Sequence, residues 1–95
     1  MPATSTRLPR PLPSVVSRPV GDGAVLLNMQ DETYFGLNAA GLTIWERLAS
    51  DGATADSVVD ALSAQFPEIP RETLRADLIE LLAQLREQHL VQADA

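Results

Sequence analysis

The chain has 95 residues, enough for one domain. With 45% hydrophobic residues, 7 arginines, no lysine and 13 acids, it reads as an ordinary globular domain and not a disordered chain. The absence of cysteine excludes disulfides, thiolate metal sites and thiol catalysis. No apolar run approaches the ~18 residues that cross a bilayer, and no basic-led apolar segment opens the chain. The expectation is a cytoplasmic protein without a membrane partner.

Residues 1–13 read as a flexible tail. Pro2, Pro9, Pro11 and Pro13 fall here, and proline fixes φ and removes a backbone donor. Residues 14–91 then form the domain, and residues 92–95 fray. Ser14 to Arg18 is a short first strand with Pro19 near its end. Gly21-Asp22-Gly23 is a turn, since glycine accepts positive φ. Ala24 to Met29 is a second, almost wholly apolar strand. After polar Gln30-Asp31-Glu32, the β-forming run Thr33-Tyr34-Phe35-Gly36-Leu37 is a third. Short connections make the three an antiparallel meander with the second strand central.

The remainder reads as helix. Asn38 caps a first helix from Ala39 to about Ser50, with Leu42, Trp45, Leu48 and Ala49 on one face and Asp51-Gly52 as its stop. Thr54 caps a second helix, lined by Val58, Val59, Leu62 and Phe66 and ended by Pro67. Pro70 opens a third, running to about His89. The order β-β-β-α-α-α predicts an α+β domain, a three-stranded antiparallel sheet followed by three helices, of winged helix-turn-helix-like form. Phe35, Leu37, Trp45, Leu48, Val59, Leu62 and Leu82 are the expected core.

Catalytic patterns are missing. The sequence has no Gly-x-Ser-x-Gly and no His-Glu-x-x-His, and its single histidine, His89, offers too little for a metal site. Neither a catalytic residue nor a cofactor is expected. Charge argues against nucleic acid. Residues 1–21 carry three arginines and no acid, whereas residues 22–95 carry four arginines and 13 acids, a balance of −9. Such a domain repels phosphate, and the second helix offers Asp56 and Asp60 with no basic residue. A charged partner should be basic.

The feature left unexplained is an edge. Edge strands are normally blunted by proline or charge. The first strand has Pro13, Pro19 and Arg18; the third, Thr33 to Leu37, has neither, and Gly36 permits close approach of another backbone. An extended peptide could add there. At about 100° per residue from Leu74, the third helix places Leu81 near 340°, Leu85 near 20°, Leu78 near 40° and Leu82 near 80°. This stripe is wide for a helix that only covers a small sheet. Core packing, a dimer seam, or the wall of a groove beside the third strand would each use it.

Val25-Leu26-Leu27, Tyr34-Phe35-Gly36-Leu37-Asn38, Gly41 and Ile44-Trp45 together resemble the PqqD-like family, with Thr54–Leu62 and Leu78–Val91 extending the likeness over residues 14–91. The chain is most similar to stand-alone members encoded with lasso-peptide biosynthesis. The resemblance implies a recognition element for ribosomally made, post-translationally modified peptides (RiPPs), without enzymatic activity. Such an element binds the leader segment of a precursor as a strand beside the third strand and against the third helix. It then delivers the precursor to a separate leader peptidase, before a cyclase acts. By position, the resemblance gives a strand wall of Thr33, Tyr34, Phe35, Gly36 and Leu37, and a helix wall drawn from Leu74, Asp77, Leu78 and Leu81, with Arg75 as the alternative rim. Relatives often have Asp in the second strand and Gly in the following turn, where this chain has Asn28 and Glu32. The alternatives are a PqqD-like carrier for a radical-SAM maturase in pyrroloquinoline quinone synthesis, or a small winged-helix DNA-binding or dimerising regulator.

Overall fold

The computed structural model describes residues 8–50 and 52–92. The expected tail over residues 1–7, the Asp51 half of the first helix's stop, and the fraying end at 93–95 lie outside the described residues. The chain runs β1 (Val15–Val20), β2 (Gly23–Asn28), β3 (Thr33–Leu37), α1 (Ala39–Leu48), α2 (Ala55–Gln65) and α3 (Arg71–Glu87). The sheet is antiparallel with β2 central, as the meander reading expects. β1 extends two residues further than expected and includes Pro19, which an edge strand tolerates.

Side-chain alternation decides what the helices cover. Ala24, Leu26 and Asn28 of β2 point to the helix side and are at most 2% exposed. Val16, Val20 and Tyr34 lie on the open face of the sheet and are exposed. Gly21 takes φ +60° in the β1–β2 turn. Gly23 answers a different need: a Cβ there would collide with the carbonyl of Leu37 across the ladder.

The helix caps form as their sequences dictate. Asn38 Oδ1 accepts from the Gly41 N–H at 2.8 Å. Thr54 and Ser57 make a reciprocal capping box at the start of α2. The buried face of α1 is Gly41, Ile44, Trp45 and Leu48, so the expected face is corrected: Leu42 is half-buried and Ala49 exposed. Four apolar side chains spread over a wide arc of α1, and the docked sheet selects the Ile44 side. The expected core residues Leu37, Trp45, Leu48, Val59, Leu62 and Leu82 are buried. Phe35 is half-buried and packs on the margin of that core.

Leu8 to Pro13 does not behave as a flexible tail. Leu8 donates its N–H to the Ala53 carbonyl at 2.9 Å, and Leu12 to Leu90 at 3.1 Å. Pro11 faces Val91 in an antiparallel bridge, and Gln92 donates to the Arg10 carbonyl at 2.7 Å. The prolines suit this segment because its backbone contacts, with Ala53 and with Leu90 to Gln92, draw only on the N–H groups of Leu8 and Leu12.

Candidate functional site

The third strand is the open edge, and the register says which of its groups are free. Met29 donates its N–H to the Ser14 carbonyl, so Met29 faces β1. Main-chain groups alternate sides along an antiparallel strand, so Asn28, Leu26 and Ala24 face β3. Their partners Thr33, Phe35 and Leu37 therefore turn inward to the ladder. The N–H and C=O of Tyr34 and Gly36 point away from the sheet. The opposite edge is poorer. On β1 the outward positions are Val15, Ser17 and Pro19; Val15 donates to Leu12 and Pro19 has no N–H, which leaves Ser17.

Beside the β3 edge runs a groove of about 340 Å³. Its strand wall is Phe35, Gly36 and Leu37; its helix wall is Asp77, Glu80, Leu81 and Gln84 of α3; Ala40, Gly41 and Ile44 of α1 form the floor. Leu81 is half-buried at the margin of the core and presents the apolar surface of the helix wall. Thr33 and Tyr34 lie further along the same edge, and Tyr34 is 73% exposed. Gly36 is exposed, and a Cβ there would meet nothing within 4 Å.

Two expected wall residues lie outside this groove. Leu74 is 2% exposed and Leu78 fully buried, so Leu78 belongs to the core and the groove contains neither. The leucine stripe is mostly core, with Leu81 alone at the groove-facing margin. Glu80, Gln84 and the start of α1 were not anticipated. The helical wheel carried the signal for the first two: from Leu74, Gln84 falls near 280° and Glu80 near 240°, on the same flank as Leu81.

Charge is sorted across α3. Arg71 meets Asp60 at 2.9 Å and Arg75 meets Asp56 at 2.6 Å, both on the α2 side. The Arg75 guanidinium, by hydrogen bond and by charge, holds the Asp56 carboxyl below its ordinary range. Arg75 is thus committed to α2 and is no rim of the groove. The groove side presents Asp77 and Glu80, and no arginine lines it. Among the described residues no cluster of His, Asp and Glu could hold a metal. Chemically the site offers two outward N–H groups, two carbonyls, an apolar floor and an acidic wall. Those are the requirements for pairing with an extended peptide.

Comparison with known proteins gives the family and the fold. The model of Coenzyme PQQ synthesis protein D (PqqD) matches residues 23–91. The chain belongs to the PqqD family. Among solved structures, it is similar to TbiB1 in complex with the TbiA(beta) leader peptide, with 36% identity and a TM-score of 0.77 over 90% of this chain and 98% of that one. It is also similar to lasso peptide synthetase B1 complexed with the leader peptide, with 26% identity and a TM-score of 0.76 over 88% and 96%. No match was found among curated proteins. The fold of this PqqD-family chain is therefore the α+β arrangement expected from its sequence, and the resemblance to lasso-type recognition elements holds. Among the described residues no helix is long and apolar enough to cross a membrane.

Proposed function

We propose that this chain is the leader-recognition element of a lasso-peptide biosynthetic system. It binds the leader of a ribosomal precursor as a fourth strand on β3, lying in the groove against α3. The observation that carries this reading is the open β3 edge, with Tyr34 and Gly36 directed outward beside a groove with an apolar floor and an acidic wall. Support comes from two similar B1 proteins whose structures contain leader peptides. The binding residues are Thr33, Tyr34, Phe35, Gly36 and Leu37 on the strand, with Asp77, Glu80, Leu81 and Gln84 on the helix.

Several main-chain hydrogen bonds at ~0.5–1.5 kcal/mol each, with one or two buried anchors at ~1.5–3 kcal/mol each, offset the ordering of the peptide. Micromolar or tighter affinity follows from those terms. The chain acts in the cytoplasm as a non-catalytic adaptor. It passes the precursor to a separate leader peptidase, and a cyclase acts afterwards. Fluorescence polarisation with labelled TbiA(beta) leader and a scrambled control tests the binding. Saturable binding of the leader alone is expected. Equal affinity for the scrambled peptide would contradict the reading.

A further inference from the structure

The floor and the helix wall of the groove belong to different helices. Ile44 of the floor is on α1, and Leu81 and Gln84 of the wall are on α3. The start of α3 is held to α2 by Arg71–Asp60 and Arg75–Asp56. Beyond the C-terminal ends of α1 and α3, the segment Leu8–Pro13 joins the two. On the α1 side, Leu8 donates its N–H to the Ala53 carbonyl at 2.9 Å, and Arg10 Nη2 donates to the carbonyl of Ala49, the C-cap of α1, at 3.2 Å. On the α3 side, Leu12 donates to the Leu90 carbonyl at 3.1 Å, Gln92 donates to the Arg10 carbonyl at 2.7 Å, and Pro11 pairs with Val91. Side chains seat the segment as well: Pro9 is buried, Leu8 packs on the core, and Leu90 and Val91 are buried. No residue of Leu8–Pro13 lines the groove, and the match to the family model begins after it, at residue 23.

A short length of helix is rigid, so a grip on its end fixes the side chains further along it. Ile44 precedes Ala49 by about one and a half turns, and Gln84 lies in the last turn of α3. We infer that Leu8–Pro13 is a positioning strap for the bound leader: by tying the end of α1 to the end of α3, it sets the spacing of groove floor and helix wall before the peptide arrives. The inference rests on the leader-binding reading above, and it adds residues that never touch the peptide. A groove already held at its final width spares the leader part of the ordering cost of binding. The coupling is reciprocal: a strap that favours the leader is itself closed more firmly by the leader.

The test has two arms. The first uses the unaltered chain and follows amide exchange by NMR with and without saturating TbiA(beta) leader. It is read before the core amides of Leu78 and Leu82 exchange, so that local opening is measured and not global unfolding. The N–H groups of Leu8, Leu12 and Gln92 should exchange about tenfold more slowly in the complex, alongside the protection of Tyr34 and Gly36. The second arm compares leader affinities by fluorescence polarisation, with folding checked by circular dichroism. Leu8→Ala combined with Arg10→Ala loosens the α1 side of the strap and should weaken the leader about tenfold. Leu8→Met combined with Arg10→Lys keeps an apolar contact and a donor, and should bind as wild type does. Val58→Ala, in the core on α2, controls for lost stability and should also bind as wild type does. Strap amides unmoved by the leader, or a folded double-alanine variant that binds as tightly as Val58→Ala, would overturn the strap and leave strand addition standing. Absence of protection at Tyr34 and Gly36 would overturn the leader-binding reading, and the strap with it.

Discussion

Asn28 and Glu32 bracket the β2–β3 hairpin, and each departs from what relatives often place there. Asn28 is 2% exposed. Its Oδ1 accepts from Ser14 Oγ at 3.2 Å and from the Gln30 N–H at 3.0 Å, and its Nδ2 donates to the His89 carbonyl at 3.1 Å. One amide thus ties the start of β1, the hairpin and the end of α3. It needs both a donor and an acceptor, which a carboxylate cannot supply. Asn28→Leu strands the buried partners and should cost ~2–4 kcal/mol in urea unfolding, without touching the groove. Glu32 takes φ +60°, a left-handed conformation in which a side chain is strained. Glycine accepts it freely. Glu32→Gly should raise stability by ~0.5–1 kcal/mol, read as a higher melting temperature, and leave peptide affinity unchanged.

At the scale of elements, strands and helices were legible and rotation was not. Local signals carried the first part: Gly21 for the turn, β-formers for β3, Asn38 and Thr54 for the caps. All act within a few residues of themselves. Periodicity gives the width of an apolar stripe but not which part of it docks, so it does not reveal that Leu78 lies in the core and Leu81 at the groove margin. Contacts with α2 and α1 turn Leu74, Leu78, Leu82 and Leu85 inward and leave Leu81 at the margin. Leu8 to Pro13 failed for a related reason. Its partners at Ala53 and Leu90 are far along the chain, where no local pattern reveals them. The alternation along β3 gives a sharper prediction. Gly36→Pro removes an outward N–H from a position where added atoms meet open space, so the helices should survive by circular dichroism while leader affinity falls at least ~10-fold. Phe35→Pro removes an inward N–H and should unfold the sheet instead.

Over the whole molecule, net charge and its sorting act together. The acids of α2 are matched by Arg71 and Arg75, whereas the acids lining the groove face outward. A leader bearing Lys or Arg should be steered into the groove. Raising ionic strength from ~0.05 to ~0.5 M should slow its association by roughly tenfold, with dissociation changing much less. Stopped-flow mixing reads both rates, and an association rate indifferent to salt would count against steering.

The central claim is that the leader becomes the fourth strand, on the β3 side. Amide hydrogen exchange, followed by NMR with and without saturating TbiA(beta) leader, tests it at single residues. The outward N–H groups of Tyr34 and Gly36 should pass from fast to slow exchange, while Ser17 on the opposite edge keeps its free-state rate. Saturable binding with Tyr34 and Gly36 still exchanging as in the free protein, or with protection appearing at Ser17, would contradict the account.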